Sequence, residues 1–182
     1  MIEELIFAGF GGQGILLGGR LIAHAAMKVG FNTTWFPSYG PEMRGGTCNC
    51  MTAYSDDEIA SPVFNAFDAA LIMNLPSLER FAPMVRKGGL LLVNTSLVNV
   101  TGVRRDVRLI EVPVTELARQ FGTDRSANVV MVGAYIAVRS WIRPATLEQA
   151  VRETFVSKGD EVVELNLRAF RAGHEAVAAA TV

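Results

Sequence analysis

The residues whose types and spacing could do chemistry are, first, glycines. Gly9-Phe10-Gly11-Gly12-Gln13-Gly14 spells G-x-G-x-x-G directly after the apolar run Leu5-Ile6-Phe7-Ala8 and directly before a helical pattern. In that context the first helical turn offers unpaired backbone N–H groups, and the helix dipole favours anions. A dinucleotide site also needs Asp or Glu at the end of the second strand, roughly 20 residues on, to hold the ribose hydroxyls. Here that strand runs into Trp35-Phe36-Pro37-Ser38-Tyr39, and the first acid is Glu42. The missing acid weighs against ordinary NAD binding. Glycines that serve only tight packing are the alternative, because Gly18 and Gly19 carry the small-residue pattern into the helix.

The second concentration is Phe36-Pro37-Ser38-Tyr39-Gly40-Pro41-Glu42-Met43-Arg44-Gly45-Gly46-Thr47. Its prolines and glycines argue against regular structure, while the interleaved Tyr, Glu, Met and Arg are too particular for a passive connector. In an open α/β sheet, ligands collect beyond the carboxyl ends of the strands. The glycine turn, this loop, Asn74-Leu75-Pro76-Ser77 and Asn94-Thr95-Ser96 are all expected at that edge. Four well-capped turns with no ligand are the bland alternative.

Other chemistry is not written in the chain. There is no G-x-S-x-G elbow, no P-loop lysine and no metal-ligand spacing. His24 lies on a stripe with Arg20 and Lys28, and His174 on the flank of the last helix; both read as solvated or packed. Cys48 and Cys50 form C-x-C, not the C-x2-C of zinc or iron–sulfur sites, and as i, i+2 on a strand they share one face as packing residues. A domain with an anion-friendly edge but no nucleophile, base or metal completes a site on another chain more readily than it forms one alone.

The elements that must position these residues alternate between strand and helix. Strands are expected at Leu5–Ala8, Phe31–Phe36, Cys48–Tyr54, Ala69–Met73 and Leu90–Val93, and helices from the glycine turn to Gly30 and over Thr115–Phe121, Asn128–Trp141 and Thr146–Phe155, with a last one from about Val162. Thr146-Leu147-Glu148-Gln149 has the spacing of a capping box and predicts the start of its helix. The fold class is therefore α/β, a three-layer α/β/α sandwich with a mostly parallel sheet and a Rossmann-like glycine loop after the first strand. No repeat or linker divides residues 1–182, so one domain is expected. With 17 basic and 18 acidic residues, a net charge of −1 supplies no field for nucleic acid, and no apolar run is long enough to span a membrane. All but three of the cations (Lys28, Lys87, Lys158) are arginine, which suits interface contacts and an oligomer subunit, although biased codon usage would give the same count. The acidic start, Met1-Ile2-Glu3-Glu4, reads as neither signal nor transit peptide and implies a cytoplasmic compartment.

Three segments together carry a resemblance: Phe7 to Ile15, Trp35 to Thr47, and Met73-Asn74-Leu75-Pro76-Ser77-Leu78. They resemble the gamma subunit of 2-oxoacid:ferredoxin oxidoreductases, with Ser-Tyr-Gly-Pro-Glu-Met-Arg-Gly-Gly as the specific part. The match favours the 2-oxoglutarate, ketoisovalerate and pyruvate types over the indolepyruvate branch. The resemblance implies an enzyme that decarboxylates a 2-oxoacid on thiamine diphosphate, transfers the acyl group to coenzyme A and passes two electrons through iron–sulfur clusters to ferredoxin. Thiamine diphosphate, Mg and the clusters are then expected on partner alpha, beta and, where there is one, delta subunits, and this chain alone holds no cofactor and no catalytic residue. Coenzyme A, as substrate, is expected at the edge formed by Gly9, Gly11, Gly12, Gln13, Gly14, Ser38, Tyr39, Glu42, Arg44, Gly45 and Asn74. A stand-alone nucleotide-binding or regulatory module is the other reading, and the missing acid after the second strand favours the subunit.

Overall fold

The computed structural model describes residues 1–39 and 46–178. Among the described residues six strands form one sheet: β1 Ile2–Phe10, β2 Asn32–Tyr39, β3 Thr47–Ser55, β4 Phe67–Ile72, β5 Val85–Asn94 and β6 Arg108–Val112. Their order is β2-β3-β1-β4-β5-β6. β1, β4, β5 and β6 pair in parallel, whereas β3 runs antiparallel to both of its neighbours. The α/β class with a mostly parallel sheet is thus as expected. β3 is the exception because it returns directly from β2, with too short a connection to hold the crossover helix that a parallel neighbour needs.

The two faces of the sheet are covered unequally. Alternate residues (Leu5 and Phe7, Cys48 and Cys50, Ala69 and Leu71, Leu90 and Leu92) meet a thick helical layer. It comprises α1 Ile15–Lys28, α3 Val114–Arg119, α4 Ala127–Val138, α5 Pro144–Phe155 and α6 Asp160–Ala178. The intervening residues Ile6, Ala8, Ala70, Ile72, Leu91 and Val93 meet a thin layer formed by α2 Leu75–Phe81, a 3-10 turn at Ala82–Met84 and loop residues such as Phe64 and Val98. α4 is buried almost all round and presses on α6 at Gly133 and Gly173. A β-carbon at either glycine would strike the backbone of the other helix, at Phe170 O and Val130 O. The polar side of α6 is tied to α5 by a bidentate Arg171–Glu148 pair (2.7 and 2.8 Å) and by Arg152–Glu164 (3.0 Å).

Four features differ from the sequence reading. Thr146 is not the cap of α5: the helix begins at Pro144, whose fixed φ suits a first helical position, and Arg143 precedes it without a side-chain cap. Pro37, Ser38 and Tyr39 belong to β2, because an edge strand tolerates the missing N–H of proline. Asn74 opens a helix rather than a plain turn. β6 was not among the expected strands.

At the amino ends of the parallel strands the sheet is pinned by buried charge. Glu3, 5% exposed, accepts hydrogen bonds from Arg139 Nε (2.8 Å) and from the Tyr135 hydroxyl (3.3 Å), which also meets the Tyr54 hydroxyl at 2.7 Å. Arg139, just past α4, donates in addition to Asp68 O at 3.3 Å. Burial pushes the Glu3 carboxyl above its ordinary range, and the Arg139 guanidinium only partly offsets this. A carboxyl raised in the folded state stabilises fully at low pH, and that contribution is lost as pH rises through its folded value. Arg139→Ala removes the counter-charge and is expected to cost about 3 kcal/mol at pH 7, or roughly 6–12 °C in Tm for a chain of this size. The loss should be smaller at pH 5, where Glu3 can protonate; thermal melts showing equal losses at both pH values would contradict this.

Candidate functional site

The carboxyl ends of β1, β2, β4, β5 and β6 share one edge, and most of the residues singled out by sequence gather there. The turn from β1 into α1 is built by two glycines in the left-handed region, Gly12 (φ 99°) and Gly14 (φ 73°). Gly14 is the N-cap of α1, and no side chain among the described residues caps that helix. Gln13 braces the turn: its Oε1 accepts from Phe10 N at 2.7 Å, and its Nε2 lies 3.5 Å from Met73 O, at the limit of a hydrogen bond. A β-carbon on Gly9 would fall 2.6 Å from that Gln13 Oε1, so Gly9 is small to admit the brace.

The expected open cradle of N–H groups is only half present. Phe10 N is taken by Gln13, Gln13 N donates to Phe10 O (3.2 Å) and Gly11 N donates to Gly46 O (2.9 Å). The last bond ties the glycine turn to the end of the proline- and glycine-rich loop. The amides of Gly12, Gly14 and the first turn of α1 have no partner among the described residues, and no acidic side chain occupies that turn to offset its positive end.

Ser38 stands exposed at the end of β2, opposite Asn49, and Tyr39 is the last residue of that strand. Glu42, Arg44 and Gly45 lie outside the described residues. Asn74 is 4% exposed; its Oδ1 accepts from Ser77 N at 2.9 Å as the N-cap of α2, while its Nδ2 has no partner. Asn94 is sealed inside, donating to Thr115 Oγ1 at 2.9 Å. Cys48 and Cys50 are buried free thiols, as packing residues should be. Burial pushes Cys50 up to about 12, far from the reactive thiolate range. His24 and Lys28 reach Glu153 of α5, at 3.4 and 2.8 Å, and so join helices rather than face the edge.

Sequence reasoning missed the other wall of the site. A cleft of about 220 Å³ runs from Gly12, Gln13 and Met73 past Leu97 and Thr115 to Arg119, Asp124, Arg125 and Ala127. Arg119 and Arg125 have no ion-pair partner among the described residues. Two free guanidinium groups beside a helix N-terminus suit an anion. Among the described residues the lining offers no imidazole and no thiol. Among the described residues no three His, Cys, Asp or Glu converge on a metal.

Residues 4–176 match the family described as pyruvate ferredoxin/flavodoxin oxidoreductase. The chain belongs to that family. It is 39% identical over 169 residues to ketoisovalerate oxidoreductase subunit VorA of Methanothermobacter thermautotrophicus, covering 92% of this chain but 35% of that protein. The chain thus spans about a third of the length of that relative. With 2-oxoglutarate synthase subunit KorC of the same organism it shares 32% identity over 182 residues, 96% of this chain and 95% of that one. The gamma subunit of keto/oxoacid ferredoxin oxidoreductase from Geobacter sulfurreducens superposes with a TM-score of 0.85 at 31% identity, over 99% of this chain and 98% of that chain. A 2-oxoglutarate:ferredoxin oxidoreductase from Magnetococcus marinus, solved with 2-oxoglutarate, coenzyme A and succinyl-CoA bound, gives a TM-score of 0.90 at 25% identity, over 98% of this chain and 31% of that one.

The two left-handed glycines differ in what surrounds them. A β-carbon at Gly12 meets open space, so Gly12→Ala is expected to cost only the backbone strain, about 1–2 kcal/mol. At Gly14 the same carbon lies 2.5 Å from Asn128 Nδ2, and Gly14→Ala should lose more stability than Gly12→Ala in denaturant titrations. The reverse order would show that the turn is not built as described.

Proposed function

We propose that this chain is the gamma subunit of a 2-oxoacid:ferredoxin oxidoreductase and is inactive without its partners. The enzyme converts a 2-oxoacid, coenzyme A and two oxidised ferredoxins to acyl-CoA, CO2, a proton and two reduced ferredoxins. The observation that carries the reading is that one unit of this size is nearly the whole of the KorC relative and about a third of the VorA relative. A unit found both as a separate subunit and within a longer chain is a component of a larger machine.

The site chemistry agrees. The cleft supplies cations, free amides and a helix N-terminus, all suited to binding an anionic partner or substrate. Cys48 and Cys50 are buried packing thiols, and in this reading the donor sets for Mg and iron–sulfur clusters belong to alpha and beta subunits and, where there is one, a delta subunit. On this chain the carboxyl edge, with Gly9, Gly11, Gly12, Gln13, Gly14, Ser38, Tyr39, Glu42, Arg44, Gly45 and Asn74, joins the assembly and holds part of coenzyme A. In this reading Arg44 makes a charge-assisted contact in the assembled site, to a coenzyme A phosphate or to a partner carboxylate rather than to nearby Glu42. The subunit forms one domain, residues 1–182, in a cytoplasmic enzyme. No described helix is long and apolar enough to cross a membrane.

The test is reduction of a viologen dye with a 2-oxoacid and coenzyme A. The purified chain should give no turnover, and co-expression with the partner subunits should restore it. Turnover by the isolated chain would overturn the subunit reading.

A further inference from the structure

The end of the sheet away from the glycine turn keeps a charge pattern after its own ion pairs have cancelled. Glu3 is paired with Arg139, Glu4 and Asp68 with Arg86, Asp106 with Arg104, and Asp56 with the amino terminus. Among the described residues, the exposed charges on the strands and turns of this end that have no ion-pair partner are Asp57 and Glu58 on one side and Lys87, Arg105 and Arg108 on the other.

Strand order sets where these charges stand. Asp57 and Glu58 follow β3, Lys87 lies in β5, and Arg105 precedes β6, which begins at Arg108. In the run β3-β1-β4-β5-β6, β4 is central, and the acidic and basic flanks lie on opposite sides of it at similar distances, on the order of 10 Å. Two copies set end to end about a two-fold axis along the sheet normal at β4 therefore place the acidic flank of each against the basic flank of the other. A two-fold lying in the sheet, across the strands, would instead set like charge against like, so the pattern selects one arrangement.

Between the flanks stands an apolar centre. Ile2 is 49% exposed and Trp141 50%, and both line one hollow of about 270 Å³ together with Lys87 and Gly88. The same two-fold keeps the helical layers of the two copies on one side, so their Ile2 and Trp141 side chains come together. Tryptophan is among the residues that most often anchor an interface. We propose that the amino end of the sheet is the docking surface for a second copy of this chain, with Ile2 and Trp141 at the centre and Asp57 and Glu58 meeting the partner copy's basic flank at the rim. This inference is independent of the function proposed above. The surface lies opposite the carboxyl edge, so the dimer persists when that edge is covered.

Sedimentation equilibrium of the purified chain tests the proposal. The wild-type chain should dimerise with a micromolar Kd that weakens about tenfold between about 0.05 and 0.5 M NaCl, as screening removes the rim attraction. Trp141→Ala should weaken the dimer by about tenfold or more. Asp57→Lys with Glu58→Lys makes both flanks basic, and Arg105→Glu with Arg108→Glu makes both net acidic. All four positions are exposed, so Tm should hold, yet each double variant should be monomeric alone and the two should form a heterodimer when mixed. A wild-type chain that stays monomeric at about 100 μM, a dimer left unweakened by Trp141→Ala or by either reversal, or reversed variants that do not pair on mixing would each overturn it.

Discussion

Helix α1 lies so close to the sheet that no β-carbon fits between them at Gly18 or Gly19: the first would strike the Phe7 ring and the second the Cys50 sulfur. That approach sets the geometry of everything at the carboxyl edge. A helix seated this low can follow directly on β1 only through a sharp reversal, which Gly12 and Gly14 supply in the left-handed region. The reversal places the uncapped start of α1 above the sheet edge, and Asn128 from α4 clamps it through Gly14 O. Larger residues at 18 or 19 would lift the helix and carry the glycine turn away from Arg119 and Arg125.

The molecule divides its polar chemistry between two ends of the same sheet. At the amino end, Glu3, Arg139, Tyr135 and Tyr54 are mutually satisfied and buried, a lock between β1 and α4. At the carboxyl end the polar groups are incompletely satisfied: Asn74 Nδ2 and Asn128 Oδ1 lack partners, as do the first amides of α1 among the described residues. Thr34 Oγ1 and Trp35 Nε1 of β2 are buried without partners as well, so such groups are not confined to this edge.

Much of this edge was legible because it is written locally. G-x-G-x-x-G between an apolar strand and a helix needs no tertiary knowledge, and the same holds for the packing role of Cys48 and Cys50 at alternate strand positions. The far wall was not legible, for a specific reason. β6 is five residues long and includes exposed Arg108 and Glu111, so neither alternation nor a continuous apolar run announces it. Without β6 there was no ground for bringing Thr115, Arg119 and Arg125, which follow it, to the edge that the glycine turn occupies. Asn74-Leu75-Pro76-Ser77 failed in the opposite sense: residues that read as a turn are also those that cap and open a short helix.

In the reading proposed above, the carboxyl edge of the sheet is the surface that partner subunits cover. Amide hydrogen exchange of this chain, free and within the complex reconstituted with its partner subunits, addresses it directly. The account predicts slowed exchange in the complex at Gly12, Gly14 and Ile15, with little change at Arg86–Gly89 and Trp141 beside the amino-end lock. Protection confined to the amino end, with the glycine turn exchanging as fast as in the free chain, would contradict it.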